Sequence, residues 1–388
     1  MNKTLAQFIF CVMILSTVSI ALPVTAQQFN PETAGNVRTP FANVEAHDDA
    51  FYKARITKIV SEEKKLVDNQ THYTQLVEAQ IVSGNKKGTV IIIDHGESDA
   101  VAEFQKAQQG EVVVVTESYA VDEQGTQSPR YYIVDRDRMW GLVVLVAIFF
   151  ICAIYFGRIR GFSSIVGMGS SALIIFYWII PRILGGADPL WTCVIGAVII
   201  ILISLYLSHG FNRRTTLALI STLISLGLAV IIDLAFVHLA KLAGNGSEEA
   251  MYLQTGSMSI NLQGLLLGGI ILGVIGVLDD ITTSQTAAIE EIAKAGKSMR
   301  FAELYQSGVS VGREHIASLV NTLMLAYVGA AFPLFILYAS QKSQPLWVTL
   351  TSSFTGEEIA RTLVGSTVLV LAVPLTTIIA AWYYSRHH

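Results

Sequence analysis

GVIGVLDDITTSQTAAIEEI, residues 273–292, sets two adjacent carboxylates at the end of a long run of glycine, valine, isoleucine and leucine. A carboxylate at the centre of a membrane span costs roughly 2.5 to 3.5 kcal/mol on insertion scales. The pair therefore either performs a task inside lipid or stands outside it. Helical spacing favours the first reading. Asp280, Thr283 and Ser284 are at i, i+3 and i+4, and Asp279 shares a face with Thr282 and Thr283. Upstream, Gly269 and Gly273 form a small-xxx-small pair that lets a neighbouring backbone approach closely. A span over 264–289 puts Asp280 about 15 Å from its inner end at 1.5 Å per residue. A span that starts near 259 instead moves the pair to the inner interface and makes ITTSQTAAI a solvated extension. The embedded placement is the expected one, because Thr, Ser and Ala pack well in spans and hydrogen-bond across helices. A packed helix carrying carboxylates into a bundle is what a proton or cation relay needs. The alternative is a helix cap or an interfacial anchor at the cytoplasmic end.

Composition agrees with lipid. Of 388 residues, 52% are hydrophobic and 14% charged, against about 25% charged in a soluble domain. A net charge of −4 argues against nucleic-acid binding, which wants a basic face. Cys11, Cys152 and Cys193 lie in apolar runs, and no CxxC or Cys/His cluster is present, so no disulfide framework, metal or cofactor is expected. Residues 1–26 read as a secretory signal, with Lys3, the apolar run FIFCVMILSTVSIAL and the small-residue site Val24-Thr25-Ala26, or as an uncleaved signal anchor.

Residues 27–138 are polar, with β-type runs at 52–60, 73–82, 89–94, 111–119 and 130–135, a short helix over SDAVAEFQKAQQ, and turns at SGNKKG and DEQGTQSP. Five short strands predict a small exported β domain, an OB-like barrel. Residues 27–45 read as an extended lead-in. From 139 to 388 the chain is a membrane domain. Apolar runs long enough for a core of about 30 Å cover 139–157, 161–181, 190–208, 216–240, 260–286, 315–339 and 362–384. A polytopic α-helical membrane protein with about seven transmembrane helices follows. If residues 27–138 are outside, the inner loops hold Arg158, Arg160, Arg213, Arg214, Lys294, Lys297, Arg300, Arg313 and Arg386. The outer loops hold Arg182, Lys241, Lys342 and Arg361. That bias predicts a multi-pass plasma-membrane protein with its N-terminal domain outside and its C-terminus cytoplasmic. Residues 290–315 predict an inner interfacial helix, and Trp347 an anchor in the outer loop 340–360.

Other polar groups interrupt the apolar runs. Asp233, in LAVIIDLAFVHLA, must pair inside the bundle or sit near the outer surface. Asn321, just under two turns past His315, reads either as a relay partner or as a packing hydrogen bond. Pro333 and Pro374 mark kinks in the last two runs.

GVLDDITTSQ, followed by ELYQSGVSVGREHIASLVNTLMLAYVGAAFPL, closely resembles the YibE/F-like family of bacterial integral membrane proteins over about 140–384. The resemblance implies a polytopic plasma-membrane protein and little settled biochemistry. More distantly, GVLDDITTSQTAAIEEI is similar to the glycine-rich fourth-span motif of resistance-nodulation-division transporters, and implies carboxylates that relay protons. By that analogy 161–384 is one six-helix half, which implies a homo-oligomer. The large porter domain and second half of that family are missing, and Gly276 precedes Asp279 by three residues instead of four.

Three functions compete. The expected one is a transporter-like permease for an unknown small substrate, coupled to a proton or cation through Asp279, Asp280, Thr283, Ser284, Asn321 and Asp233, with the lipid bilayer as its partner. The second is a non-catalytic assembly protein whose exported domain binds an envelope protein. The third is an intramembrane aspartyl protease with Asp233 and Asp279 as a dyad sharing one proton; the missing GxGD pattern argues against it, so no enzyme is expected.

Overall fold

The computed structural model describes residues 50–67, 70–96, 101, 103–121, 127–255, 260–296, 299–340 and 345–387. The leader, Cys11 and the lead-in over 27–45 lie outside them. The chain forms two compact units that divide between Ile151 and Cys152.

Alternation builds the first unit. Strands β1 (Ala50–Val67), β2 (Gln70–Ile81), β3 (Val90–His95), β4 (Val112–Val121) and β5 (Gln127–Arg136) form an antiparallel sheet in the order β3-β2-β1-β4-β5. Every second side chain turns inward: Tyr52, Ala54 and Ile56 on β1, Val77, Ala79 and Ile81 on β2, Val113 and Val115 on β4. Ala54 is the hinge of the register, opposite Ile81 on one side and Val113 on the other. The ladder slips at Ile56/Lys58 and Ile59/Ser61, and such bulges bend and twist a strand. One long β1 thereby serves two neighbours in a small curled sheet, whose edge strands β3 and β5 come into contact. In the SGNKKG turn, Gly84 and Gly88 have φ of +76° and +95°, which only glycine adopts cheaply. Among the described residues, the helix expected over 98–109 is a single 3₁₀ turn, Glu103–Gln105.

Glu117 is buried on β4, where Lys86 Nζ bonds Oε2 at 2.6 Å and Tyr119 donates to Oε1. Burial pushes its carboxyl up, but the Lys86 bonds prevail and hold it below its ordinary 4.5. A depressed folded value means the contribution is present above the unfolded value and is lost as pH falls through the folded one. Amide protection of β4, corrected for intrinsic exchange, is expected to fall as pH drops below the ordinary 4.5. In Glu117→Gln that acid limb should vanish. An unchanged acid limb in the variant would remove Glu117 as its source.

The second unit is helical. Its long elements are α1 (Met139–Leu184), α2 (Pro189–His209), α3 (Arg213–Leu239), α5 (Leu262–Ala295), α6 (Phe301–Ala330) and α9 (Ser353–His387). Shorter ones are α4 (Glu248–Thr255), α7 (Phe332–Ser340) and α8 (Leu346–Leu350). Side-chain caps fix three starts: Asp188, Asn212 and Asn261 accept from the backbone of Trp191, Thr215 and Gly264.

Among the described residues, five helices are long and apolar enough to cross a membrane, or six if the bent pair α6–α7 counts as one. Two of the seven runs read from the sequence share one helical stretch, and another is bent. The runs 139–157 and 161–181 belong to one 46-residue helical stretch. Arg158, at φ 50° and ψ −132°, breaks it, and a Cβ on Gly161 would strike the Ala153 carbonyl oxygen. The chain therefore doubles back there, between the two runs read from the sequence. The run 315–339 crosses a 62° bend between α6 and α7, beside Pro333, whose ring removes a helical donor. Pro374 lies within a continuous α9. The segment 290–315 is shared by the end of α5 and the first half of α6. There Leu304, Gly308 and Gly312 are buried, with Gly308 against Thr377 and Gly312 against Val373 of α9.

Contacts fix the bundle's directions. Gly268 meets Cys193 and Pro189, while Ser204 meets Asp279, so α2 and α5 run together. Gly269 faces Arg361 and Gln285 bonds Thr377, so α9 runs with them. The turn 210–212 and the Thr222–Thr282 contact make α3 opposite. The successive helices α2, α3 and α5 thus alternate in direction.

Candidate functional site

The aspartate pair sits midway along α5, and its two members face different spaces. Successive helical residues are about 100° apart, so adjacency in sequence separates the carboxylates in the fold. Asp279 points toward α2, where Ser204 Oγ donates to its Oδ2 at 3.3 Å. Its Oδ1 is buried and has no hydrogen-bond partner among the described residues. The residue lines a cavity of about 170 Å³, walled by Ser171 and Ile175 of α1, Ile200 and Ile201 of α2, and Leu272 and Gly276 of α5. The volume suits a few waters, each about 30 Å³ in the liquid. Ser171 donates to the Gly167 carbonyl at 3.0 Å, which leaves its lone pairs to the cavity. A carboxylate, two hydroxyls and apolar walls can hold a proton or a small cation.

Asp280 is exposed and lines a second recess, of about 500 Å³, with Thr283, Ser284, His209, Arg214 and His315. Thr283 and Ser284 donate back to the carbonyls of Asp279 and Asp280, at 2.8 and 2.7 Å. Their hydroxyl protons are thus spent on their own helix. Asn321 is exposed on α6 and lines neither space.

Asp233 is fully buried on α3, and among the described residues neither of its oxygens has a hydrogen-bond partner. The charge acting on it is Arg361 of α9, whose Nε lies 3.6 Å from Glu358. Thr222 and Thr282 stand level, so Asp233 and Asp279 are about 12 Å apart along the bundle at 1.5 Å per residue. A shared proton needs carboxylates about 3 Å apart. These two do not form such a dyad.

A polar seam that sequence reasoning missed runs inside the same bundle. Thr222 and Thr282 share a 2.7 Å hydroxyl bond between α3 and α5. Gln285, fully buried, donates to the Gly308 carbonyl at 2.8 Å and to Thr377 Oγ1 at 2.9 Å, tying α5 to α6 and α9. Thr286 and Thr376 are buried beside it. The signal was present: the buried aliphatics Ile271, Val274 and Leu278 continue at helical spacing into Thr282, Gln285 and Ile289. Interhelical hydroxyl bonds contribute about 0.6 kcal/mol on average and up to about 1.7. Thr222→Val is therefore expected to cost about 1 kcal/mol, lowering the melting temperature by about 2–4 °C, while Thr222→Ser stays near wild type. Equal melting of the valine and serine variants would show that the hydroxyl is idle.

Residues 145–386 match the family profile described as YibE/F-like protein. No curated protein and no solved structure matches the chain.

Proposed function

The chain belongs to the YibE/F-like family, and on that footing we propose that it is a multi-pass plasma-membrane permease coupled to a proton or cation through Asp279. The observation that carries this reading is the Asp279 carboxylate, one oxygen buried and unpartnered among the described residues, in the wall of a 170 Å³ cavity between α1, α2 and α5. Leaving a buried polar atom unmade costs about 1–3 kcal/mol, more for a charged group, and a bound proton or cation removes that cost. Asp280, with His209 and His315 in the neighbouring recess, serves as the entry side. Thr283 and Ser284 line the approach, Asp233 with Arg361 is a second charged station, and Asn321 stands aside.

The N-terminal domain is outside and the C-terminus cytoplasmic in this reading, as the Lys and Arg bias indicates. The curled sheet is an OB-like barrel, a reading supported by its β3-β2-β1-β4-β5 order and by the approach of β3 and β5. Apolar side chains exposed on α1, such as Phe156 and Tyr177, face lipid or another copy in a homo-oligomer. A second reading has its own observation. A cleft of about 460 Å³ in the β domain, lined by His95, Glu111, Tyr132 and Arg136, favours capture of an envelope component.

The test is solute movement in vesicles carrying the full chain. The permease reading expects at least one small solute to redistribute when a pH or cation gradient is imposed, and to stop when the gradient is collapsed. Vesicles with and without the chain that hold identical solutes under both conditions would overturn it.

A further inference from the structure

We propose that the flank of the bundle where α3 begins and α9 ends is a binding site for one anionic phospholipid. A groove of about 740 Å³ runs there, within the range of small-molecule sites. Its floor is apolar: Phe211, Ile220, Ile378 and Trp382 line it, and each is about half exposed in the isolated chain. Phe211 is held by stacking on Tyr206, with ring centroids 4.4 Å apart, so that wall is preformed.

The groove is apolar along the helices and cationic at the helix ends. Arg213 is the first residue of α3, exposed at the rim. Arg386, in the last turn of α9, lies with its guanidinium 4.5 Å from the Trp382 ring. Stacking on Trp382, itself part of the groove wall, holds that cation beside the groove. Among the described residues no carboxylate pairs with Arg213 or Arg386. Glu290, the acid nearest in sequence register, is engaged by Arg214 and Lys294. The rim thus carries two unneutralised positive charges over a hydrocarbon floor, the complement of an acyl chain under a phosphate. A second copy of the chain is a poor occupant, because a two-fold pairing brings the same arginines toward each other. Basic side chains at the charged leaflet contribute about 1 kcal/mol each, which for two makes the preference for an anionic over a zwitterionic headgroup roughly thirtyfold.

The site rests on the reading that the bundle spans a membrane, and alkaline extraction tests that part first. Release of the chain from membranes overturns both readings. With the chain retained, the full-length protein is reconstituted in vesicles of phosphatidylcholine with one-fifth phosphatidylglycerol, extracted gently, and weighed by native mass spectrometry. One retained phosphatidylglycerol per chain is expected, at roughly thirtyfold preference over phosphatidylcholine. Arg213→Gln with Arg386→Gln should lose that preference, Arg213→Lys with Arg386→Lys should keep it, and Ile378→Trp, which fills the groove, should lose the lipid itself. Equal retention of the two lipids overturns the site. So does unchanged preference in the glutamine variant, or a lipid-free dimer whose mass Ile378→Trp reduces to a monomer. Solute movement under a pH gradient reports on the permease reading separately, since none of these residues touches the Asp279 cavity.

Discussion

Vesicles carrying Asp279→Asn are expected to lose gradient-driven solute movement down to the leak, a drop of roughly 100-fold. The magnitude follows from the cost of a charge in the bilayer centre, about 2.5 to 3.5 kcal/mol, at one decade of rate per 1.36 kcal/mol. Asparagine preserves the shape and can still accept from Ser204, now 3.3 Å from Oδ2. It supplies no negative charge to a cation and no carboxyl to a proton, so the loss is chemical and the chain should still insert. Asp280→Asn is expected to be milder. Its side chain opens into the 500 Å³ recess, where His209 and His315 remain to receive protons. A variant that lowers both insertion and flux in proportion would instead mark Asp279 as a structural residue. Wild-type flux in Asp279→Asn would remove it from the path.

The second large effect concerns packing. Gly268→Leu is expected to destabilise the bundle by about 3 kcal/mol or more, the upper end of overpacking costs. A Cβ at Gly268 would stand 2.6 Å from Cys193 Sγ, 3.0 Å from Cys193 Cβ and 3.1 Å from the Pro189 carbonyl oxygen. The first neighbour can turn aside, but the carbonyl belongs to the start of α2 and moves only with the helix. Gly268→Ala should show the same defect in smaller measure, partly relieved by Cys193→Ala. Gly227 provides the contrast. Nothing lies within 4 Å of its Cβ position, so Gly227→Ala should be neutral or stabilising, by up to about 1 kcal/mol. Folding yield and melting temperature of the purified full chain report all four. A stable Gly268→Leu would mean that α2 and α5 do not cross there.

Much of this architecture is written locally, and the rest depends on contacts between segments. The alternation in YKARITKIV and EVVVVTESY specifies strands because one face of each must be dry. The bulges at Ile56 and Ile59 lie in the β1–β2 ladder just past Arg55, where the β4 pairing ends, and no single segment encodes that register. Apolar run lengths specify membrane-length helices, yet they are blind to direction. The reversal at Arg158 depends on Gly161 closing against Ala153, a contact eight residues long in sequence and absent from any hydropathy window. At the site, the carboxylates were conspicuous because charge is rare among these runs. Gln285 was not, although it joins three helices, because an uncharged polar side chain looks ordinary until its neighbours are known. Asp280, Thr283 and Ser284 line one recess together. Which face of a helix turns inward depends on where α2, α3 and α9 pack, and α5 turns Thr282 and Gln285 to them instead.

Infrared difference spectra of the full chain in lipid, recorded across a change of pH, read the protonation of individual carboxyls directly. The permease account predicts a carboxyl band that is missing in Asp279→Asn and displaced in Ser204→Ala, where the hydroxyl that donates to Oδ2 is removed. Spectra of wild type and Asp279→Asn that superimpose would contradict it, because no proton would then be meeting the carboxylate at the cavity.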